Sequence, residues 1–208
     1  MTQRQVFPPF GLRARALRCG RGGMPIGPAL DFQRAAGTGL VLTGPNGVGK
    51  STLLLTLAGL LPPLGGTLEL SGTDPEAGPS VHYCAHRNAV RARLRVAETL
   101  SFWRALNGAT GLDVAAALNR VGLAQLARLD AGYLSAGQQR RLALARLLVS
   151  ARPVWLLDEP TAALDAAGHR LVATLLVEHL AAGGIAIVAT HDALAVPGLD
   201  TLALEPAP

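Results

Sequence analysis

The sequence predicts an α/β fold with a mostly parallel sheet and a helical subdomain inserted into it. Three observations indicate this fold: short apolar runs that end in polar residues, amphipathic segments between these runs, and one glycine-rich loop between a run and a helix. Half of the 208 residues are hydrophobic and only 16% are charged, which favours one folded domain with a sizeable core. In such sheets, ligands bind at the carboxyl ends of the strands.

The first half of the chain carries the pattern of a strand, a glycine-rich loop and a helix. Residues 40–43 form an apolar run that ends at the loop, and this run predicts a strand. A helix is expected over 52–61, where two consecutive prolines would stop it. Two further apolar runs, 67–70 and 81–84, predict strands that are separated by a loop rich in Gly, Pro and Asp.

A long helical pattern follows, and it predicts a subdomain over approximately 87–134. Between residues 94 and 123 the apolar residues recur at the spacing of one buried helix stripe, which includes Val96, Leu100 and Trp103. Residues 112–121 repeat this spacing. We interpret residues 1–208 as a single domain that contains this helical part.

The last part of the chain alternates between helix and strand. Helices are expected over 138–150 and 171–180, and fully buried strands over 154–157 and 185–190. Polar residues that are candidates to act on a ligand follow directly after these strands: Asp158 and Glu159 after the first, and His191 after the second. This alternation implies parallel strands joined by right-handed crossovers.

Composition restricts the classes of partner. The net charge of +5 and the sequence pI of 10.2 favour an anionic partner: a nucleotide, a nucleic acid or a membrane surface. Aromatic residues make up only 4%, which argues against nucleic-acid binding because exposed bases need stacking platforms. The two cysteines form no C-x-x-C pair, so neither a disulfide framework nor a zinc site is expected, and a reducing cytosol fits.

The N-terminal region contains five arginines and no acidic residue among the first thirty residues. Two interpretations are open, a targeting peptide or a basic edge of the folded domain. No transmembrane segment and no apolar signal-peptide core are recognised in the sequence.

A phosphate-binding loop is the most specific motif of the chain. Its residues fit the pattern G-x-x-x-x-G-K-[ST] and are Gly44, Pro45, Asn46, Gly47, Val48, Gly49, Lys50, Ser51 and Thr52. Lysine 50 is the one lysine among nineteen basic residues. Backbone N–H groups of such a loop cradle phosphate oxygens, Lys50 would bridge the β- and γ-phosphates, and the Ser51 hydroxyl would coordinate Mg²⁺. The alternative is an ordinary strand-to-helix turn.

Two carboxylates follow the predicted strand over 154–157. Asp158 would hold Mg²⁺, directly or through water, and Glu159 would act as the general base that polarises the attacking water. The alternative is a strand that simply ends in solvated acids.

A third motif opens the helix expected over 138–150. Ser135 and Gln138 have the spacing of an S-x-x-Q capping box. Gly137 is unfavourable in a first helical turn, and a bare backbone N–H that faces an anion would explain it.

These motifs, in this order and at these spacings, resemble those of the ATP-binding cassette (ABC) ATPases over about residues 38–195. Residues 134–138 resemble the family signature, with Ala136 where glycine is commoner, and residues 162–165 resemble its D-loop. His191 resembles its switch histidine. The resemblance implies the ABC ATPase fold, in which a phosphate-loop core carries a small antiparallel β part and a helical subdomain.

The resemblance also implies a head-to-tail homodimer that sandwiches two ATP molecules, with Mg²⁺ as cofactor. Ser135 and Gly137 of one subunit would contact the γ-phosphate held by the phosphate loop of the other, and Gln138 and Asp165 belong to the same set of expected cofactor-binding residues. His191 would contact the γ-phosphate in cis and, with Glu159, orient the attacking water.

Two positions depart from the family pattern. ABC ATPases usually carry a glutamine after the second core strand, and here His86 occupies that place, where it could bind a metal-bound water but is a poor Mg²⁺ ligand. The family also often stacks adenine on an N-terminal aromatic residue. No aromatic residue lies between Phe10 and Phe32, and Arg21 is the proposed substitute.

The chain is similar to the ATPases of the cytochrome c maturation haem exporter in three respects: its stretch 134–147, the histidine at position 86 and its short length. This resemblance implies separate integral membrane subunits that handle haem, a peripheral position on the cytoplasmic face of the bacterial inner membrane, and no direct haem binding, since C-x-x-C-H is absent. The ATPase of another small-substrate ABC transporter is the alternative. A chromosome-type ABC ATPase is disfavoured because no sustained heptads separate Ser51 from Ser135.

Four arginines cluster just after His86, and they leave two interpretations open. The cluster is a solvated face, or it docks acidic or backbone groups of a membrane partner. Its members are Arg87, Arg91, Arg93 and Arg95.

Overall fold

The computed structural model describes residues 7–73 and 79–206. Its strands, in chain order, are β1 (Gly11–Arg18), β2 (Gly20–Arg21), β3 (Met24–Pro25), β4 (Leu30–Ala35), β5 (Gly39–Thr43), β6 (Gly65–Ser71), β7 (Val81–Cys84), β8 (Val154–Asp158), β9 (Ile185–Ala189) and β10 (Leu199–Ala203). Its α-helices are α1 (Lys50–Leu57), α2 (Val96–Asn107), α3 (Val114–Arg120), α4 (Ala136–Val149) and α5 (Ala166–Ala181).

A five-stranded sheet forms the centre of the fold, in the order β10-β5-β9-β8-β7. Every neighbouring pair in it is parallel, as the alternation of helices and strands predicts. Strands β8 and β9 are buried at every position because helices cover both faces of the sheet. On one face, Leu156 and Ile187 pack with Leu53 of α1, and on the other Leu157 packs with Leu144 of α4.

An antiparallel part lies at the N-terminal side, with a three-stranded sheet β4-β1-β6 and the two-stranded ribbon β2-β3. In β1, Leu12 and Ala14 are buried whereas Arg13 and Arg15 are exposed. A bulge at Ala16, where φ is +45°, shifts this alternation so that the next apolar residue again faces inward. The N-terminal arginines of this strand therefore lie on the solvent side of a folded sheet.

Helix α1 ends earlier than the sequence predicts. It stops at Leu57, because Gly59 adopts a left-handed conformation with φ of +71°. The N–H groups of Gly59 and Leu60 then donate to the carbonyls of Thr56 and Leu55, which is the Schellman arrangement. The predicted end at residue 61 was wrong because this glycine, and not the prolines that follow, terminates the helix.

Helix α5 begins five residues before its predicted start at 171. The Asp165 carboxylate accepts a hydrogen bond from Gly168 N at 2.8 Å and so caps the first turn. Helix α4 likewise starts at Ala136, directly after its capping residue Ser135.

The helical pattern predicted over 94–123, with its repeat over 112–121, corresponds to the two α-helices α2 and α3. Helix α2 ends at Asn107, before Gly108, whose φ of +85° favours glycine. Helix α3 begins at Val114, and Asp113 caps it by accepting a hydrogen bond from Ala116 N. Both helices pack on α4, in a core that includes Val96, Leu118 and Leu142. The boundary 87–134 stays a prediction from sequence. Among the described residues, no helix has both the length and the apolar character needed to span a bilayer.

Two histidines are buried on the face of the sheet covered by α4 and α5. His82 Nε2 lies 2.7 Å from the Ser150 carbonyl, and burial lowers the pKa of His82 to about 3. His179 stacks on Trp155 with ring centroids 4.0 Å apart, and burial lowers the pKa of His179 to about 4. Both side chains are therefore neutral in the folded state over the physiological range.

These histidines are expected to make the fold sensitive to acid. Below pH 6.5 the unfolded chain binds protons at both histidines, whereas the folded chain does so only near pH 3 to 4, so stability falls as the pH drops through this window. We expect the free energy of unfolding to fall by about 2 kcal/mol per histidine between pH 7 and pH 5. Urea unfolding at several pH values measures this slope. The His82→Gln/His179→Gln variant should flatten it, and an equally steep slope in that variant would contradict the assignment.

Candidate nucleotide-binding site

A cleft of about 620 Å³ opens at the carboxyl ends of β5, β8 and β9. Three of the strands that the sequence pattern predicts therefore end at the same place. Its lining residues are Arg21, Ile26, Asn46, Gly47, Gly49, Lys50, Ser51, Thr52, His86, Asp158, Glu159, Ala162 and His191. The structure thus brings together most of the phosphate loop, both carboxylates and both histidines that the sequence pointed to.

The remaining predicted residues do not line this cleft. Within the phosphate loop these are Gly44, Pro45 and Val48, and Val48 is buried in the core beneath the loop. Outside the loop they are Ser135, Gly137, Gln138 and Asp165.

The glycines of the loop give it the shape of a phosphate cradle. Gly47 has φ of +81°, and a Cβ there would meet nothing within 4 Å, so its backbone faces open space. Gly49 has φ of +109° and precedes the first residue of α1, which carries no acidic residue in its first turn. The free N–H groups at this helix end therefore remain available to an anion.

Lys50 reaches across the mouth of the loop. Its Nζ donates to the carbonyls of Gly44 at 2.7 Å and Pro45 at 3.2 Å, and it lies 3.3 Å from His191 Nε2. Only 8% of the residue is exposed. The ammonium group is thus held beside the cradle by exchangeable bonds to backbone carbonyls.

Asp158 and Glu159 end strand β8 in two different environments. Asp158 is the last residue of the strand and is buried, whereas Glu159 is partly exposed. Glu159 adopts φ of +49°, a conformation that costs a non-glycine residue about 1–3 kcal/mol. Its N–H donates to the Ala189 carbonyl of β9 at 2.8 Å, so the neighbouring strand helps to hold this turn. A residue whose strained backbone is held in place by its surroundings is typical of functional sites.

His191 connects the carboxylate to the phosphate loop. Its Nε2 lies 3.5 Å from Glu159 Oε1, and its backbone N donates to Glu159 Oε2 at 3.4 Å. The same Nε2 is close to Lys50, so its donor or acceptor role depends on the tautomer. The three side chains form one continuous group across the cleft.

The signature residues lie at the exposed N-terminus of α4. The predicted capping box is confirmed, since Ser135 Oγ accepts from Gln138 N at 3.3 Å and Gln138 Oε1 accepts from Ser135 N at 2.9 Å. A Cβ at Gly137 would come within 2.8 Å of the Ala163 carbonyl. Close packing on the following loop is therefore an intramolecular reason for this glycine, in addition to the anion that the sequence argument invoked.

Asp165 has two partners within the chain. Besides capping α5, its Oδ1 accepts from Arg141 Nη2 at 2.9 Å, and these hydrogen bonds, that of the Gly168 N–H above all, lower the pKa of Asp165. Asp165 therefore caps α5 and also binds Arg141 of the signature helix α4 within the same chain.

His86 is exposed and lies where two depressions meet. It lines the cleft, and it also lines a neighbouring groove of about 470 Å³ together with Arg87, Asn88 and Gln139. Arg21, in the ribbon β2-β3, also lines the cleft. The arginines that follow His86 are all exposed.

Arg140 is a residue of this site that the sequence reasoning missed. It is 1% exposed, and its guanidinium donates to the backbone carbonyls of both Asp158 and Glu159. A signal was present in the sequence, because Arg140 is four and seven residues before Leu144 and Leu147 and so shares their buried helix face.

The described residues contain no group of three or more His, Cys, Asp or Glu side chains that could hold a metal ion. The oxygen donors of the cleft, Ser51 and Asp158, suit Mg²⁺, which usually retains waters and takes further ligands from substrate phosphates. The residues present therefore fit an ion that binds together with a nucleotide.

Comparison with known proteins agrees with this geometry. The sequence profile of the ABC transporter family matches residues 29–162. A cytochrome c biogenesis ATP-binding export protein CcmA of Rhodopseudomonas palustris is 48% identical over 187 residues, which cover 89% of this chain and 94% of that protein. The protein of the same name from Rhizobium johnstonii is 53% identical over 191 residues, and the match covers 88% of this chain and 89% of that protein.

Solved structures show the same architecture. An ABC transporter ATP-binding protein of Pyrococcus furiosus superimposes with a TM-score of 0.80 at 25% identity, covering 92% of this chain and 97% of that one. An ABC transporter of the metal-chelate type, in an inward-facing conformation, gives a TM-score of 0.77 at 26% identity, covering 95% of this chain and 80% of that one.

Proposed function

The chain belongs to the ABC transporter family as an ATP-binding subunit, and on this premise we propose that it hydrolyses ATP to drive the export step of cytochrome c biogenesis. The observation that carries the proposal is the cleft in which Lys50, Glu159 and His191 meet across three strand ends. The relatives that share about half of its residues over nearly their whole length carry that function in their names.

In the proposed reaction, water attacks the γ-phosphate of ATP and the bond to the β-phosphate breaks. Glu159 accepts the proton of the attacking water, because its carboxylate is fixed at the strand end and still reaches the cleft. His191 orients that water together with Glu159. Lys50 exchanges its bonds to the loop carbonyls for phosphate oxygens and balances their charge.

Mg²⁺ is the proposed cofactor, with the Ser51 hydroxyl and the Asp158 carboxylate as its protein ligands. When bound, it neutralises charge on the phosphates. Because the two protein ligands are too few to hold the ion by themselves, metal binding is expected to require the nucleotide.

We propose that the active form is a head-to-tail homodimer. The signature residues Ser135 and Gly137 lie outside the cleft of their own chain, on an exposed helix end. A second copy would bring that end to the phosphates held by the first. The N-terminus of α4 has no acidic residue in its first turn, so its positive end suits an anion.

The proposed partners are the integral membrane subunits of a haem-handling complex, at the cytoplasmic face of the bacterial inner membrane. Membership of the family implies a membrane complex. Arg87 lines the groove beside His86, and the three arginines at 91, 93 and 95 are also exposed, which supports a docking site for acidic or backbone groups of such a partner.

Replacement of the chromosomal gene tests this function. Strains that carry Glu159→Gln should lose covalently haem-bound c-type cytochromes, whereas Glu178→Gln, on the exposed surface of α5, should retain them. Haem staining of denatured proteins measures both. Normal c-type cytochromes in the Glu159→Gln strain, or co-purification of a permease for another solute, would contradict the proposal.

His86 is expected to couple ATP turnover to the membrane partner, because it lines both the cleft and the neighbouring groove. We expect His86→Ala to change the dissociation constant of ATP by less than about threefold, equal to less than about 0.7 kcal/mol. The stimulation of turnover on assembly with the membrane subunits should be lost. ATPase assays of the isolated subunit and of the reconstituted complex measure the two effects separately.

The matched control for this prediction is His86→Gln, which retains a polar side chain that reaches a metal-bound water and should keep most of the stimulation. Equal assembly-stimulated turnover in His86→Ala and the wild type would show that His86 does not transmit the signal.

A further inference from the structure

Arg140 is buried between the two segments that carry the reacting carboxylates and His86. Its guanidinium has five N–H groups, and the structure supplies an oxygen acceptor for each of them. The Nη2 group donates to the carbonyls of Asp158 at 2.5 Å and Glu159 at 2.6 Å, and Nε donates to that of Pro160 at 3.2 Å. Three consecutive carbonyls at the end of β8, those of residues 158–160, are thus fixed by one side chain.

The other side of the same guanidinium holds the segment that follows β7. Its Nη1 donates to the Ala85 carbonyl at 2.8 Å and to Asn88 Oδ1 at 3.0 Å. His86 lies between these two anchors. Arg140 belongs to α4, whose N-terminus carries Ser135, so one rigid helix connects the exposed signature, the carboxylate turn and the His86 segment.

The contact with Glu159 bears on its unusual backbone. Glu159 has a positive φ of +49°, and its carbonyl accepts from Arg140 and from Ala162 N at 3.1 Å, while its N–H is held by Ala189. The bonds of Arg140 therefore fix the peptide that determines where the Glu159 carboxylate points. Such a strained residue keeps its conformation only while its surroundings determine it.

We infer that Arg140 is a positioning residue for ATP hydrolysis, which holds the left-handed turn at Glu159 in a fixed relation to the His86 segment. The inference rests on the proposed function, because it concerns the hydrolysis step at Glu159. No lysine can replace it, since an ammonium group has three donors on a flexible stem and cannot reach five acceptors on two segments.

Steady-state kinetics of the full chain test this role. We expect Arg140→Lys to lower kcat on the order of 10²-fold, because small displacements of a reacting group have effects of this size. The KM for ATP should stay within about threefold, since the phosphate loop is not touched. The matched control is Arg146→Lys, another largely buried arginine of α4, whose guanidinium lies 3.6 Å from the centroid of the Trp103 ring. That variant should keep kcat within about twofold even if it unfolds at a lower temperature.

A wild-type kcat in Arg140→Lys, or an equal loss in Arg146→Lys, would overturn the inference. If Arg140→Lys does not fold, Asn88→Ala decides, because it keeps the guanidinium and removes one of its anchors. We expect a loss in kcat of about threefold at constant KM, and an unchanged kcat overturns the inference.

One comparison separates this inference from the proposed function. If Glu159→Gln is inactive while Arg140→Lys turns over normally, only the role of Arg140 is wrong. If Glu159→Gln itself turns over normally, the hydrolytic function fails.

Discussion

Replacement of Glu159 by glutamine is expected to lower the turnover of ATP on the order of 10²- to 10⁴-fold, the usual contribution of a general base. Glutamine keeps the size and the backbone preferences of glutamate, so the left-handed turn at this residue should persist. It cannot accept a proton from the attacking water. ATP should therefore bind, stay intact and accumulate in the dimeric form, which size-exclusion chromatography with nucleotide analysis measures.

The control for this prediction is Glu178→Gln. Glu178 forms an ion pair with Arg120 on the surface of α5, away from the cleft, so its loss should leave kcat unchanged. Turnover at the wild-type rate in Glu159→Gln would remove Glu159 from the role of base, and a monomeric ATP-bound variant would argue against the dimer.

Loss of the Lys50 ammonium group is expected to cause the largest fall in nucleotide affinity. Hydrogen bonds to charged groups contribute about 1.5–3 kcal/mol, which corresponds to a rise in the dissociation constant of ATP of roughly 10- to 100-fold in Lys50→Ala. The ammonium group of Lys50 bonds to loop carbonyls, and the residue is not part of the hydrophobic core cluster beneath the loop. The Lys50→Ala variant should therefore fold. Isothermal titration with Mg²⁺ and a non-hydrolysable ATP analogue measures the affinity.

Lys50→Arg separates charge from shape. It keeps the positive charge but has a planar fork in place of a compact ammonium group, which suits the space between the loop carbonyls and His191 poorly. We expect an affinity between those of Lys50→Ala and the wild type. Wild-type affinity in Lys50→Ala would show that the phosphates are held elsewhere.

The parallel sheet was predictable because its central strands are short apolar runs that are followed by polar or charged residues. Burial on both faces produces such runs, and the sequence showed them at β5, β8 and β9. The antiparallel strands β1 and β4, and the parallel edge strand β10, were not located individually. In β1 the alternation of Leu12 and Ala14 with arginines is interrupted by the bulge at Ala16, and a pattern with period two cannot continue through it.

The residues of the cleft were predictable where a motif fixes both residue type and spacing, as at Lys50, Ser51 and Asp158. The role of Arg140 was not, because its five acceptors come from two segments far apart in sequence, and four of them are backbone carbonyls. Backbone acceptors leave no trace in residue type. Gly137 shows the opposite difficulty: its packing against Ala163 already requires glycine, so the residue type does not reveal whether an anion binds there as well.

In the proposed homodimer, the nucleotide is enclosed between the phosphate loop of one copy and the signature helix of another. A structure of Glu159→Gln with Mg²⁺ and ATP tests it most directly, through the distance from Ser135 Oγ and Gly137 N of one copy to the γ-phosphate held by Lys50 of the other. We expect hydrogen-bond distances of about 2.7–3.2 Å. A γ-phosphate that only its own chain and water contact, in every assembly observed, would contradict the account.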